Sequence, residues 1–209
     1  MTENSFLRGW GKSRPLAVFS FLEDNKMSKL FLHVAKTGSS KTSTPISLAI
    51  VSDTGKQFYA EFSDYSQAQI DAKLKDKIIR YTIAGGYKED EKYIENYHYG
   101  LKKNIKEALE NWLMQFTDDV QIIIDKDVYD FVFFVDMFGS IDDLPDNVIS
   151  VPHDMIIDIA SKKSITEIEA IDLDLDDLVT EYSVTISVTK GDALYNALAY
   201  KRIYDAVTA

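Results

Sequence analysis

The sequence predicts an α/β domain, in which an antiparallel three-stranded meander is extended by further strands and flanked by helices. Three observations carry this expectation. Between residues 29 and 62, three apolar runs follow one another, separated by turn residues. Beyond them, short apolar runs such as Val120-Gln-Ile-Ile-Ile124 alternate with segments of helical periodicity. The chain has 209 residues, 45% hydrophobic and 12% aromatic, which is enough to bury one substantial core and argues against intrinsic disorder.

The elements follow in order. Residues 1–26 fit poorly with what comes after and read as an N-terminal extension, with Trp10, Phe19 and Phe21 able to dock on the fold. Met27 precedes the first core strand, so the main domain is expected over 27–209. Residues 29–35 and 45–52 read as strands, Ser52-Asp-Thr-Gly55 as a hairpin turn, and 57–62 as the third strand. Helices are expected over 66–77 and 101–116, with a loop at 84–91 between them. In the second helix Leu101, Ile105, Ala108, Leu109, Trp112 and Phe116 recur at helical spacing. Residues 120–124 form a short buried strand. Residues 128–138 form a helix closed by Gly139, with Asp125 or Asp127 as its N-cap. A strand at 148–151, a short helix at 153–161 and an irregular acidic stretch at 164–178 come next. The last helix is expected from about 192 to 207, with Ala193, Ala197, Tyr200, Tyr204 and Val207 on one face.

Charge and composition narrow the function. There is no cysteine, so disulfides and thiolate metal sites are excluded. No apolar run reaches membrane-spanning length. The apolar run at 15–22 follows Arg8, Lys12 and Arg14, but Glu23-Asp-Asn-Lys26 stands where a signal peptide needs small residues, so a cytoplasmic protein is expected. The net charge is −11, and residues 118–177 hold 17 acidic and 3 basic side chains, a net of −14, leaving +3 for the remainder. Such a surface repels a phosphate backbone and suits either solubility or a basic partner.

Four motifs then occur in order: Phe58-Tyr-Ala-Glu-Phe-Ser-Asp-Tyr65, Trp112-Leu-x-Gln-Phe116, the aromatic run Val128-Tyr-Asp-Phe-Val-Phe-Phe134 with Phe138-Gly139, and Ala193-Leu-Tyr-Asn-Ala197. Together with the element order, they resemble the small 3′–5′ exoribonuclease-like branch of the DEDDh exonucleases, of the ribonuclease-H-like superfamily, over roughly residues 29–207. The resemblance implies a ribonuclease-H-like fold and a two-metal mechanism, with four carboxylates holding two Mg²⁺ or Mn²⁺ ions and a histidine as general base. Carried over by position, the first-strand Asp falls at His33 and the Glu two residues on at Ala35. The middle-helix Asp is retained as Asp130. The general-base His falls at Gly191 and the last Asp at Asn196. Asp130 is thus the one remnant metal-binding carboxylate, and no functional catalytic set and no cofactor are expected.

Other signals read more plainly. His33, His98 and His153 are scattered and suggest no metal cluster. Asp172-Leu-Asp-Leu-Asp-Asp177 lacks the glycine and glutamate of a calcium loop and reads as a solvated acidic edge. Gly85-Gly86 is not followed by a phosphate-loop helix start. Lys102, Lys103 and Lys106 read as a solvated helix face, and Tyr129, Phe131, Phe133 and Phe134 as core rather than a base-stacking platform.

The expectation is therefore a pseudo-nuclease that binds a protein partner, basic or itself nucleic-acid-binding. The family's occurrence in phages, with the acidic half, points to a phage-encoded inhibitor of a host defence factor. Two alternatives are a 3′–5′ exonuclease with residual or altered Mg²⁺- or Mn²⁺-dependent activity on RNA or DNA, and a non-catalytic nucleic-acid binder. By resemblance, a homodimer is expected; no membrane association is.

Overall fold

A six-stranded mixed sheet, ordered β4-β3-β2-β1-β5-β6, carries the fold in this computed structural model. The structure describes residues 27–38, 40, 42–84, 94–186, 188, 190 and 193–209. The extension over 1–26 and Gly191 lie outside the described residues. β1 (Ser28–Lys36), β2 (Pro45–Ser52) and β3 (Gln57–Phe62) form the expected antiparallel meander. On one side β4 (Tyr97–Gly100) adds parallel to β3. On the other, β5 (Val120–Ile124) adds parallel to β1 and β6 (His153–Asp154) parallel to β5.

Because helices cover both faces, β1 is apolar on both sides rather than alternating with polar residues. Leu30, Leu32 and Val34 pack in a core that includes α2 (Lys102–Leu113) and α3 (Val128–Phe138). Phe31 joins a second cluster with α4 (Ile156–Lys163) and the C-terminal half of α7 (Ala193–Thr208). Ala35 joins a third, with Ala193, Leu194 and Ala197 at the start of α7. The local signals behave as their chemistry requires. Asp127 caps α3, its side chain accepting from the Tyr129 N–H. Gly139 closes α3 at φ 113°, a conformation that a Cβ would strain.

Several elements differ from the sequence expectation. The helix expected over 66–77 is broken: a 3₁₀ turn at Gln67–Gln69 gives way to extended Ile70, and Asp71 caps a short α1 (Ala72–Lys77). The helix expected over 101–116 ends at Leu113. The strand expected at 148–151 is reduced to a single bridge, Val148 to Val120, and pairing resumes past Pro152 as β6, where a helix was expected to begin. The stretch 164–178 is not irregular. It holds α5 (Glu167–Ile171), opened by a Thr166–Glu169 capping box, and α6 (Leu175–Glu181), capped by Asp174. The acidic residues that suggested irregularity sit in the first turns (Glu167 and Glu169, Asp176 and Asp177), where the helix dipole favours them. β4 was not expected; it is four residues long and its side chains are mostly half-buried, so no clear alternation marks it.

Candidate functional site

Three elements converge at the C-terminal end of β1: β1 itself, the junction between β5 and α3, and the first turns of α7. The parallel β1–β5 pairing places the β5–α3 junction beside the end of β1, and α7 packs across β1 and β2. His33, Asp130 and Asn196, three of the five positions singled out in the sequence, meet here. Asn196 Nδ2 lies 2.9 Å from His33 Nε2, and Asp130 Oδ2 lies 3.2 Å from His33 Nδ1. The Tyr200 hydroxyl lies 3.1 Å from His33 Nδ1, so this nitrogen faces both Asp130 and Tyr200.

Lys36 completes the arrangement. The pairing of β1 with β2 shifts register between Ala35 and Lys36, and the Lys36 side chain reaches the N-terminal turn of α3. Its ammonium lies 2.7 Å from Asp130 Oδ1 and 2.5 Å from Asp127 Oδ2, with its side chain only 8% exposed. Phe133 lies 5.9 Å away, measured to its ring centre. Asp130, fully buried, is thus flanked by a histidine on one oxygen and an ammonium on the other. Burial pushes its pKa up, but the His33 and Lys36 charges and hydrogen bonds outweigh that and hold it below the ordinary carboxylate value. At neighbouring Asp125 the balance is reversed. Burial raises its pKa to about 6, with Asp154 and Asp130 adding to the rise and Lys126 and His33 opposing it. Burial also raises Tyr200 well above an ordinary phenol, reinforced by Asp125, Asp130 and Asp127.

Ala35 is buried in the apolar cluster with Ala193, Leu194 and Ala197, so that position faces methyl groups rather than polar partners. Sequence reasoning missed Lys36 and Tyr200 as members of the site. Tyr200 stands one helical turn after Asn196, a spacing that could have suggested it; a lysine closing a strand carries no such signal.

The remaining candidates disperse. His98 stacks on Phe58 at 5.0 Å, and burial lowers its pKa. His153 contacts Asp158 at 2.5 Å. Among the described residues, no group of three or more His, Cys, Asp or Glu is arranged to hold a metal ion, and no helix is long and apolar enough to cross a membrane. Lys102 pairs with Asp136, and Lys106 Nζ lies 3.5 Å from the Phe138 carbonyl, so this lysine face is partly engaged rather than simply solvated. Phe131 and Phe134 are core, as expected. Tyr129 is not, being 36% exposed, and Phe133 is half-buried, because the helical period turns them away from the sheet. Tyr129 and Phe133 line a cavity of about 280 Å³ with Thr44, Tyr65 and Lys102.

No protein-family model matches this sequence, and neither does any curated protein. Solved structures do. One is the nuclease domain of 3'hExo, a DEDDh family member, bound to rAMP: TM-score 0.58 at 9% identity, covering 87% of this chain and 90% of that one. Another shows 3′-end-specific recognition of a histone mRNA stem-loop by a 3′-exonuclease, with TM-score 0.55 at 9% identity over 87% of this chain and 62% of that one. A full-length 3′-exonuclease gives TM-score 0.53 at 8% identity, over 87% and 80%. The sheet order, the flanking helices and these neighbours agree with the fold read from the sequence: the chain has the ribonuclease-H-like fold of DEDDh exonuclease nuclease domains.

Proposed function

We propose that this chain is a pseudo-nuclease, an exonuclease-fold protein that does not hydrolyse nucleic acid through divalent metal and acts by binding a protein partner. One observation carries the reading: Lys36 directs its ammonium between Asp127 and Asp130. A two-ion site needs several carboxylates with free oxygens around each hard cation. Here the residues do not fit that requirement. His33 and Ala35 replace two of the carboxylates implied by the resemblance, Asn196 offers a neutral amide, and Asp130 Oδ1 already accepts from Lys36, which leaves the buried, unbonded Asp130 Oδ2 beside His33 as a single free carboxylate oxygen, too few for two ions. A divalent ion at Asp130 would have to expel an ammonium from its counter-charge.

The partner-binding half of the proposal draws on the acidic surface, which disfavours nucleic acid, and on a core kept intact around an altered site. A phage-encoded inhibitor of a host defence factor is the specific form of this reading. The test is incubation with 3′-labelled RNA and DNA oligonucleotides in Mg²⁺ and in Mn²⁺, with D130A alongside. No degradation by either protein is expected. Degradation that D130A abolishes would replace this reading with a residual 3′–5′ exonuclease, and salt-sensitive oligonucleotide binding without cleavage would replace it with a nucleic-acid binder.

A further inference from the structure

At the opposite end of α3 from Lys36, roughly 16 Å along the helix by its rise per residue, lies a cleft of about 630 Å³. One wall is the outer face of α2, presenting Glu107, Glu110 and Met114 at helical spacing. The other is the loop beyond α3, presenting Asp143, Leu144 and Asp146. Asn147 ties the walls together, its side-chain amide donating to the Leu113 carbonyl at 3.1 Å and the Phe116 carbonyl at 3.0 Å. The cleft is therefore built into the fold, with no ordering needed to form it.

Its chemistry has two parts. Met114 is 65% exposed beside Leu144 and Pro145, an apolar strip on an otherwise charged wall. Around it, Glu107, Glu110 and Asp146 meet no lysine or arginine among the described residues, and Asp143 accepts only from the Ser140 hydroxyl, at 2.7 Å. Other surface carboxylates do find a lysine, Asp136 with Lys102, Glu181 with Lys163, Asp176 with Lys190, and Asp205 with Lys201, so those of the cleft stand among the unpaired ones. Lys106, on the same helix, turns to the Phe138 carbonyl and ring. Lys56, which does not itself line the cleft, lies 5.1 Å from the ring centre of the lining residue Phe116.

We propose that this cleft docks a Lys/Arg-rich segment of a partner protein, with an apolar side chain of that segment seated on Met114. The inference rests on the binding-protein reading above and gives that partner its chemistry. Unpaired carboxylates on two rigid walls supply charge complementarity, and the apolar strip supplies contact that a purely electrostatic surface lacks.

The test is fluorescence anisotropy with a labelled 12-residue peptide of alternating basic and leucine residues, at physiological salt. Three proteins are compared: the native chain, the cleft variant E107K/E110K/D146K, and the control D118K/E167K/D172K, which changes net charge equally at exposed or half-exposed sites elsewhere. Circular dichroism melting checks that all three fold. Saturable binding is expected, weakened about tenfold or more in the cleft variant and less than about threefold in the control. M114A in the unreversed chain is expected to weaken binding several-fold at unchanged charge. Equal losses in both reversals, no saturable binding by the native chain, or an unchanged affinity for M114A would each overturn the proposal. So would charge reversal at the cleft that disrupted a homodimer in sedimentation, since the cleft would then be covered by a second copy. Nuclease activity is measured independently, so failure at the cleft is distinguishable from failure of the pseudo-nuclease reading.

Discussion

Lys36 Nζ lies 2.7 Å from Asp130 Oδ1, with the two side chains 8% and 1% exposed. A carboxylate so buried is tolerable only while its charge is met. Lys36→Met removes the ammonium and leaves Asp130 with His33 alone, so a loss of about 3 kcal/mol in urea-unfolding free energy is expected. Adding Asp130→Asn to Lys36→Met should recover most of that loss, because the uncompensated charge goes with it. A double variant no more stable than Lys36→Met alone would show that the two residues are not coupled.

Asp125 stands a few residues away with the opposite balance. Its pKa rises to about 6 in the folded chain, chiefly through burial, against an ordinary value of 3.8. Between these values the folded state holds a proton that the unfolded state has lost. Stability therefore falls as pH rises through that window, by up to about 3 kcal/mol in total. Asp130 acts in reverse: its lowered pKa gives stability that is present above the ordinary carboxylate value and lost on further acidification. Asp125→Asn should match the native chain near pH 4 and exceed it at pH 7, flattening the profile between. Denaturation across pH 4 to 7 reads this directly, and parallel profiles for the two proteins would contradict it.

The sequence made the framework of this site legible and left its wiring hidden. The meander, β5 and α3 announced themselves through apolar runs, turn residues, an Asp cap and a terminal glycine, all local signals. His33, Asp130 and Asn196 could be placed together only through the resemblance, since Asp130 and Asn196 lie 97 and 163 residues beyond His33 along the chain. Lys36 was invisible because its role depends on a register shift in β1 and on the orientation of α3, neither of which periodicity encodes. The helices α5 and α6 were missed for a different reason. Their acidic first turns resemble a solvated edge until the caps Thr166 and Asp174 are weighed with them.

Ala35 offers a reconstruction experiment. Its Cβ is buried in the cluster with Ala193, Leu194 and Ala197, so Ala35→Glu alone should cost about 2–4 kcal/mol. The pair H33D/A35E should gain no thermal stabilisation from millimolar Mn²⁺ while Lys36 remains, because the ammonium holds the carboxylates that an ion would need. Adding Lys36→Ala to that pair should introduce a Mn²⁺-dependent rise in melting temperature, since binding to the folded state alone raises stability. An equal Mn²⁺ response before and after removal of Lys36 would show that the lysine does not exclude the ion.

Glu61, on the far strand of the meander and in register with Ala35 through Ser47, shows a buried carboxylate satisfied by hydrogen bonds. It is 2% exposed on β3. Its Oε1 accepts from the Tyr59 hydroxyl at 2.8 Å and the Ile83 N–H at 2.6 Å, and its Oε2 from the Ala84 N–H at 2.8 Å and the Tyr97 hydroxyl at 3.1 Å. These bonds connect β3 to β4 and to the segment that follows α1, neither of which has a long helix or an extended strand ladder to hold it. Glu61→Ala strands the buried Tyr59 hydroxyl and three part-buried donors at once and should cost about 2–3 kcal/mol. Glu61→Gln keeps the shape but turns one acceptor into a donor facing N–H and O–H groups, so it too should destabilise, though less. The readout that separates this from a general loss is amide exchange: Ile83 and Ala84 should lose protection in both variants, while β1 and β5 keep theirs below the global unfolding limit. Uniform loss of protection across the sheet would mean that Glu61 supports the whole fold rather than this one junction.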